Sequence, residues 1–78
     1  MANHVRIYST PTCPYCKMAK QFLAENNIHF EDVNVSSNQQ AAQEMIDKSG
    51  QMAVPVLDID GKIIIGFDKD NIRKALGL

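Results

Sequence analysis

No apolar run in this 78-residue chain reaches the roughly 18 residues that a membrane-spanning helix needs. No membrane partner is expected. The opening residues, Met1-Ala2-Asn3-His4-Val5-Arg6, lack the charged region and apolar stretch of a secretory signal, so the expected compartment is the cytoplasm. Charge of one sign is not in excess either, with eight basic residues against nine acidic ones. A nucleic-acid binder that works through electrostatics needs clustered Lys and Arg, and that class is set aside. Lys17 and Lys20 lie close together, but two lysines on one helix ordinarily form a solvated face. Cysteine is scarce: Cys13 and Cys16 are the only two. A structural zinc centre usually takes four Cys or His ligands. His4 and His29 are the only histidines and neither has motif spacing to the cysteines, so zinc is a poor reading. There is no linker, repeat or low-complexity stretch. What remains is 45% apolar and short enough for one domain, residues 1–78, with a single small core.

The pattern of the chain predicts seven elements. Residues 4–9 alternate, with Val5 and Ile7 on one face, and read as a strand. A helix begins near Cys13, where Pro14 falls in the first turn and its missing N–H costs nothing. Ala19, Phe22 and Leu23 recur at helical spacing, and Asn26-Asn27 suits the helix end. Residues 28–35 alternate again through Ile28, Phe30, Val33 and Val35, with a slip of phase near Asp32. Ser36 with Gln39, or Ser37 with Gln40, forms a capping box for a second helix. Its apolar face is Ala41, Ala42, Met45 and Ile46, and Gly50 stops it. Residues 55–60 and 62–66 are strands around the hairpin signal Asp60-Gly61. Asp68 caps a last helix with Ile72, Ala75 and Leu76 inward, and Phe67 and Ile72 are placed for a hydrophobic staple. The order β-α-β-α-β-β-α implies an α/β fold, a mixed four-stranded sheet flanked by three helices.

Chemistry concentrates at Cys13-Pro14-Tyr15-Cys16. A disulfide across this spacing closes almost no loop, and cross-links stabilise most when they close long ones. The pair therefore suits a reversible switch better than a staple. At the first turn of a helix, unpaired N–H groups and the positive end of the helix dipole converge, which favours thiolate over thiol. Cys13 is expected as the exposed nucleophile and Cys16, one turn further in, as the buried sulfur that resolves a mixed disulfide. Pro14 stiffens the turn, and Tyr15 offers a flat apolar surface to a substrate. Elsewhere, Glu31, Asp32, Asp58 and Asp60 read as a solvated strand face or turn, and His4 and His29 as surface or strand-edge residues. Met18, Met45 and Met52 read as core or rim filler, with Met52 near Pro55 at the edge of a substrate groove.

Thr12-Cys13-Pro14-Tyr15-Cys16, directly after a first strand, resembles the active site of dithiol glutaredoxins, and a Cys-x-x-Cys pair in a β-α-β unit is the redox context. Ala53-Val54-Pro55 is similar to the family's Thr-Val-Pro. The resemblance implies a cis Pro55 facing the active cysteine and a Val54 backbone that docks the substrate's cysteinyl backbone. Gly66-Phe67-Asp68 falls where glutaredoxins carry Gly-Gly-x-Asp-Asp, which holds the glutamyl end of glutathione at a helix N-terminus. Only Gly66 and Asp68 match, since Ile65 and Lys69 occupy the other two positions. Thr10 stands where classical members carry a lysine for the glycyl carboxylate, and Lys17 agrees with a basic position that takes part of that role. The implied site is thus Cys13 and Cys16 with Thr12, Tyr15, Lys17, Val54, Pro55, Gly66, Phe67 and Asp68. The implied fold is thioredoxin/glutaredoxin-like. The implied activity is glutathione-dependent thiol–disulfide oxidoreduction by a monomer, on disulfide or glutathionylated proteins, with glutathione as reducing cosubstrate and no tightly bound cofactor. The segment around Ile65 also resembles redoxins that take electrons from thioredoxin reductase and donate them to ribonucleotide reductase. A third alternative is an iron–sulfur binding module with Cys13 as ligand, disfavoured by the stiffening proline.

Overall fold

The computed structural model describes residues 4–78, so residues 1–3 of the N-terminal segment lie outside the described residues. The elements are β1 (Val5–Ser9), α1 (Pro14–Glu25), β2 (Glu31–Asn34), α2 (Gln39–Ser49), β3 (Val56–Ile59), β4 (Lys62–Ile65) and α3 (Lys69–Leu76). Their order is the expected one. The sheet runs β2-β1-β3-β4, with β1 parallel to β2 and antiparallel to β3, and β3 antiparallel to β4.

Both faces of the sheet are covered. On one face Val5, Ile7, Leu57, Ile59 and Ile64 pack against Ala19, Phe22 and Leu23 of α1 and Ile72 and Leu76 of α3. On the other, Tyr8 and Val56 pack against Met45 of α2. Full burial of one such Leu, Ile or Met contributes about 1.5–3 kcal/mol. The phase slip in residues 28–35 has a physical basis. Ile28 and Phe30 pack on the α1–α3 side, whereas Val33 and Val35 pack on the α2 side. The apolar residues change face, and only the four residues Glu31–Asn34 form a strand.

The local signals are mostly realised. Asp60 and Gly61 have φ of 51° and 91°, the left-handed pair that a two-residue type I′ hairpin requires. Asp68 caps α3, its Oδ1 accepting from the Asn71 N–H at 3.3 Å, and Phe67 packs in the same cluster as Ile72. The capping box for α2 is not formed. The N-cap is Asn38, whose Oδ1 accepts from the Ala41 N–H at 3.1 Å. Ser36 instead turns toward Asn34, donating its hydroxyl to Oδ1 at 2.6 Å. Asn caps as well as Ser does, and one residue of shift left both serines outside the helix.

Asp58 is the larger correction. Read from sequence as solvated, it is 8% exposed. Its Oδ2 accepts from Lys48 Nζ at 2.7 Å and its Oδ1 from the Gly61 N–H at 2.9 Å. Burial by itself would raise this carboxyl, but Lys48 and the Gly61 N–H outweigh it and hold Asp58 below the usual carboxylate range. Lys48 also donates to the Tyr8 hydroxyl at 3.1 Å, and that hydroxyl donates to Glu44 Oε1 at 2.5 Å. Arg6 completes the cluster, donating to Glu44 at 2.6 Å. The α2 face is thus joined to the sheet by a polar network as well as by Met45.

Candidate active site

The site forms where the chain leaves β1 and enters α1. Cys13 is the N-cap of that helix, with extended backbone dihedrals of φ −89° and ψ 113°. An N-cap side chain ordinarily accepts from an open amide of the first turn. Here the acceptor is sulfur: the Cys16 N–H donates to Cys13 Sγ at 3.3 Å. On its other side Cys13 Sγ lies 3.9 Å from the Val54 carbonyl oxygen, to which its thiol donates. Cys13 is half-buried, whereas Cys16, one turn deeper, is completely buried.

Burial, and then the Cys13 side chain beside it, push the Cys16 thiol up to about 11. The Thr10 main chain and the Lys20 cation pull in the opposite direction. Lys20 is not simply solvated, for its Nζ pairs with Asp32 Oδ2 at 3.1 Å while Asp32 Oδ1 accepts from the Ser9 hydroxyl at 2.7 Å. The spacing of four from Cys16 to Lys20 on one helix is the signal in the sequence for this support. Because the native state favours the thiol form of Cys16, the stability that this contributes is present below its ordinary value of 9.0 and lost as pH rises toward about 11. In the Cys13→Ser protein, the β-carbon NMR shift of Cys16 is expected to titrate well above pH 9.0. A midpoint at or below that value would contradict the buried position.

The second segment of the site is residues 53–55, which lead into β3. The Val54–Pro55 peptide is cis, as the resemblance implied, and Pro55 is buried. Gly66 follows β4 with φ of 80°, a left-handed conformation that favours glycine. That turn lets the Gly66 N–H donate to the Pro55 carbonyl at 2.8 Å. Phe67 then packs edge-on against Phe22, ring centres 6.1 Å apart. The Asp68 carboxylate is engaged by Asn71 at both oxygens, at 3.3 Å and 2.6 Å. Lys69 Nζ lies 5.5 Å from the Phe22 ring centre. Cys13, Cys16, Val54, Pro55 and Gly66 are therefore linked by short contacts or direct chain neighbours. Thr12, Tyr15 and Lys17 present exposed side chains next to Cys13 in the chain, Tyr15 being 61% exposed.

A half-buried cysteine at a helix N-cap backed by a fully buried one is an arrangement suited to thiol–disulfide exchange, in which one thiol attacks and a second displaces the product. The comparisons agree. The family model for glutaredoxin matches residues 5–64. A glutaredoxin-like 8.6 kDa protein of the rubredoxin operon of Clostridium pasteurianum is 50% identical over 72 residues, 92% of this chain and 96% of the relative. Glutaredoxin 3 of Escherichia coli is 41% identical over 68 residues, covering 87% of this chain and 81% of its own. The glutaredoxin-like protein NrdH of Lactococcus lactis is 31% identical over 70 residues, 90% of this chain and 96% of that protein. Among solved structures, the glutaredoxin of Archaeoglobus fulgidus superposes with a TM-score of 0.87 at 25% identity, over 97% of this chain and 87% of that one. The cysteine geometry and these likenesses converge, and this chain belongs to the glutaredoxin family.

Proposed function

We propose that this protein is a thiol–disulfide oxidoreductase that reduces protein disulfides or glutathione mixed disulfides, with Cys13 attacking and Cys16 resolving. The observation that carries the reading is the half-buried Cys13 at the α1 N-cap, with Cys16 fully buried one turn behind it. In the first step the Cys13 thiolate bonds to one sulfur of the substrate disulfide. The substrate S–S bond breaks, and the other sulfur leaves with the electron pair and takes up a proton. In the second step Cys16 gives up its proton and attacks Cys13 Sγ, forming the Cys13–Cys16 disulfide and releasing the second substrate thiol. The substrate gains two electrons and two protons, and the protein loses them. Glutathione restores the dithiol, two molecules becoming one glutathione disulfide. Val54 supplies the backbone edge for the substrate cysteine. Thr12, Tyr15, Lys17, Pro55, Gly66, Phe67 and Asp68 frame it. A reducing compartment such as the cytoplasm is the natural setting for a dithiol that must be recycled.

A second reading has its own support. Ile65, Lys69 and Thr10 depart from the glutathione-binding pattern, and the Asp68 carboxylate is already engaged by Asn71. Both points favour a redoxin recharged by thioredoxin reductase, with ribonucleotide reductase as a partner, and the NrdH relative agrees with it. Steady-state turnover of a glutathionylated peptide, with each donor system in turn, separates the two. Glutathione with glutathione reductase is expected to sustain catalysis. Turnover with thioredoxin reductase alone would overturn glutathione coupling and establish the second reading.

A further inference from the structure

The site continues past Cys13 into a groove on the α2 side that the reaction steps above leave unused. Its walls are Val35, Ala42, Met45, Met52 and Val54, with the hydroxyl-bearing Thr10 and Ser36 at its rim, and its volume is about 220 Å³. None of the side chains lining it is charged. The groove between β4 and α3 is different, carrying Lys62, Asp68 and Lys74. We propose that the α2-side groove is a specificity subsite that takes one apolar side chain adjacent to the reacting cysteine of a peptide or protein disulfide. The proposal rests on the oxidoreductase reading and names the substrate class for it.

Continuity with Cys13 is the first argument. Val54 belongs to both places: its carbonyl oxygen meets Cys13 Sγ at 3.9 Å, and its side chain packs in the α2-side cluster with Tyr8, Met45 and Val56. Thr10 also belongs to both, since its carbonyl accepts from the Cys13 N–H at 3.4 Å and its side chain stands at the groove. A substrate held covalently on Cys13 therefore carries its neighbouring residue to the groove mouth. Chemistry is the second. An uncharged cavity of side-chain size accepts an apolar group and gives a carboxylate no partner, so the anionic end of glutathione gains nothing there. Met52 is the third. It is 79% exposed at the rim, and an unbranched thioether adapts its shape to whatever apolar group arrives.

The test uses short blocked peptides, each with one cysteine in disulfide linkage to a nitrothiobenzoate chromophore and with Leu, Gly or Asp before or after that cysteine. Rates with the pre-reduced protein are divided by the same protein's rate on hydroxyethyl disulfide. Leu on one flank is expected to exceed Gly about tenfold and Asp to fall below Gly, the range that a single apolar pocket can supply. In Ala42→Asp, and in Met52→Ser, the Leu preference is expected to shrink toward unity. Ala42 lies in the first turns of α2, where an acidic residue suits the helix dipole, so the fold tolerates the change. Equal rates for Leu and Gly on both flanks overturn the subsite while the redox reading stands. A Leu preference unchanged in both variants also overturns it. Failure on hydroxyethyl disulfide overturns both.

Discussion

Cys13→Ser is expected to lower disulfide reduction at least about a thousandfold, because a hydroxyl cannot replace the sulfur that forms the covalent intermediate. Cys16→Ser is expected to divide the substrates. Small glutathionylated disulfides remain reducible, since a second thiol from solution can release the product from Cys13. Protein disulfides are reduced poorly, because their release depends on the buried sulfur one turn away. The asymmetry follows from position. Cys13 is half-exposed at the N-cap, whereas Cys16 is sealed and its thiol is pushed up to about 11, so it is a poor first attacker. Initial rates on both substrate types, with mass spectrometry of the trapped Cys13 mixed disulfide in Cys16→Ser, check this. Full activity in Cys13→Ser would sink the assignment, as would trapping on Cys16 in the wild-type protein.

Lys48→Met carries the largest expected loss of stability. The wild-type ammonium donates to Asp58 at 2.7 Å and to the Tyr8 hydroxyl at 3.1 Å. Met keeps much of the length and removes the charge. Asp58, whose side chain is 12% exposed, then keeps the Gly61 N–H and the more distant His4 but loses its ion-pair partner. Breaking a buried pair by removing one partner costs about 3–5 kcal/mol, and Lys48 at 32% exposure places this case lower, at about 2–3 kcal/mol. For a domain of this size each kcal/mol lowers Tm by about 4–8 °C, so a fall of roughly 10–20 °C is expected in a thermal melt. The pH dependence has a definite sign. Asp58 is held below its usual range, so the pair's contribution is complete above the unfolded carboxylate value of about 4 and is lost as pH falls through the lower folded value. The gap between wild type and Lys48→Met should therefore be full near neutrality and narrow in acid. A melt shifted by less than about 2 °C, which is under half a kcal/mol on the same scale, would show the network to be energetically idle.

These two results bear on different parts of what the chain encodes. The cysteine spacing, the Pro14 helix start, the Asp60-Gly61 hairpin, the Asp68 cap and the order of the elements were legible without coordinates. So was the alternation of Val5 and Ile7 with their neighbours on β1. Each of these acts within a turn of helix or a few residues of strand, so the chain itself carries the information. The choice of Asn38 over Ser36 or Ser37 as the α2 cap was not legible, because three good cap residues stand side by side and local preference does not separate them.

Asp58 looked like any exposed strand carboxylate until α2 brought Lys48 over it from ten residues away. Lys20 looked solvated until β2 set Asp32 beside it. The groove beside Cys13 is assembled from the β1–α1 turn, the segment after β2, α2 and residues 52–54, and no one of these announces it. Sequence by itself determined the Cys-x-x-Cys pair at the start of α1, the depth order of its two sulfurs and the succession of helices and strands, because these depend on backbone geometry and capping between near neighbours. Tertiary structure alone decided which charges are buried and where an uncharged groove opens beside Cys13. Desolvation depends on what packs against a residue, and that comes from distant parts of the chain.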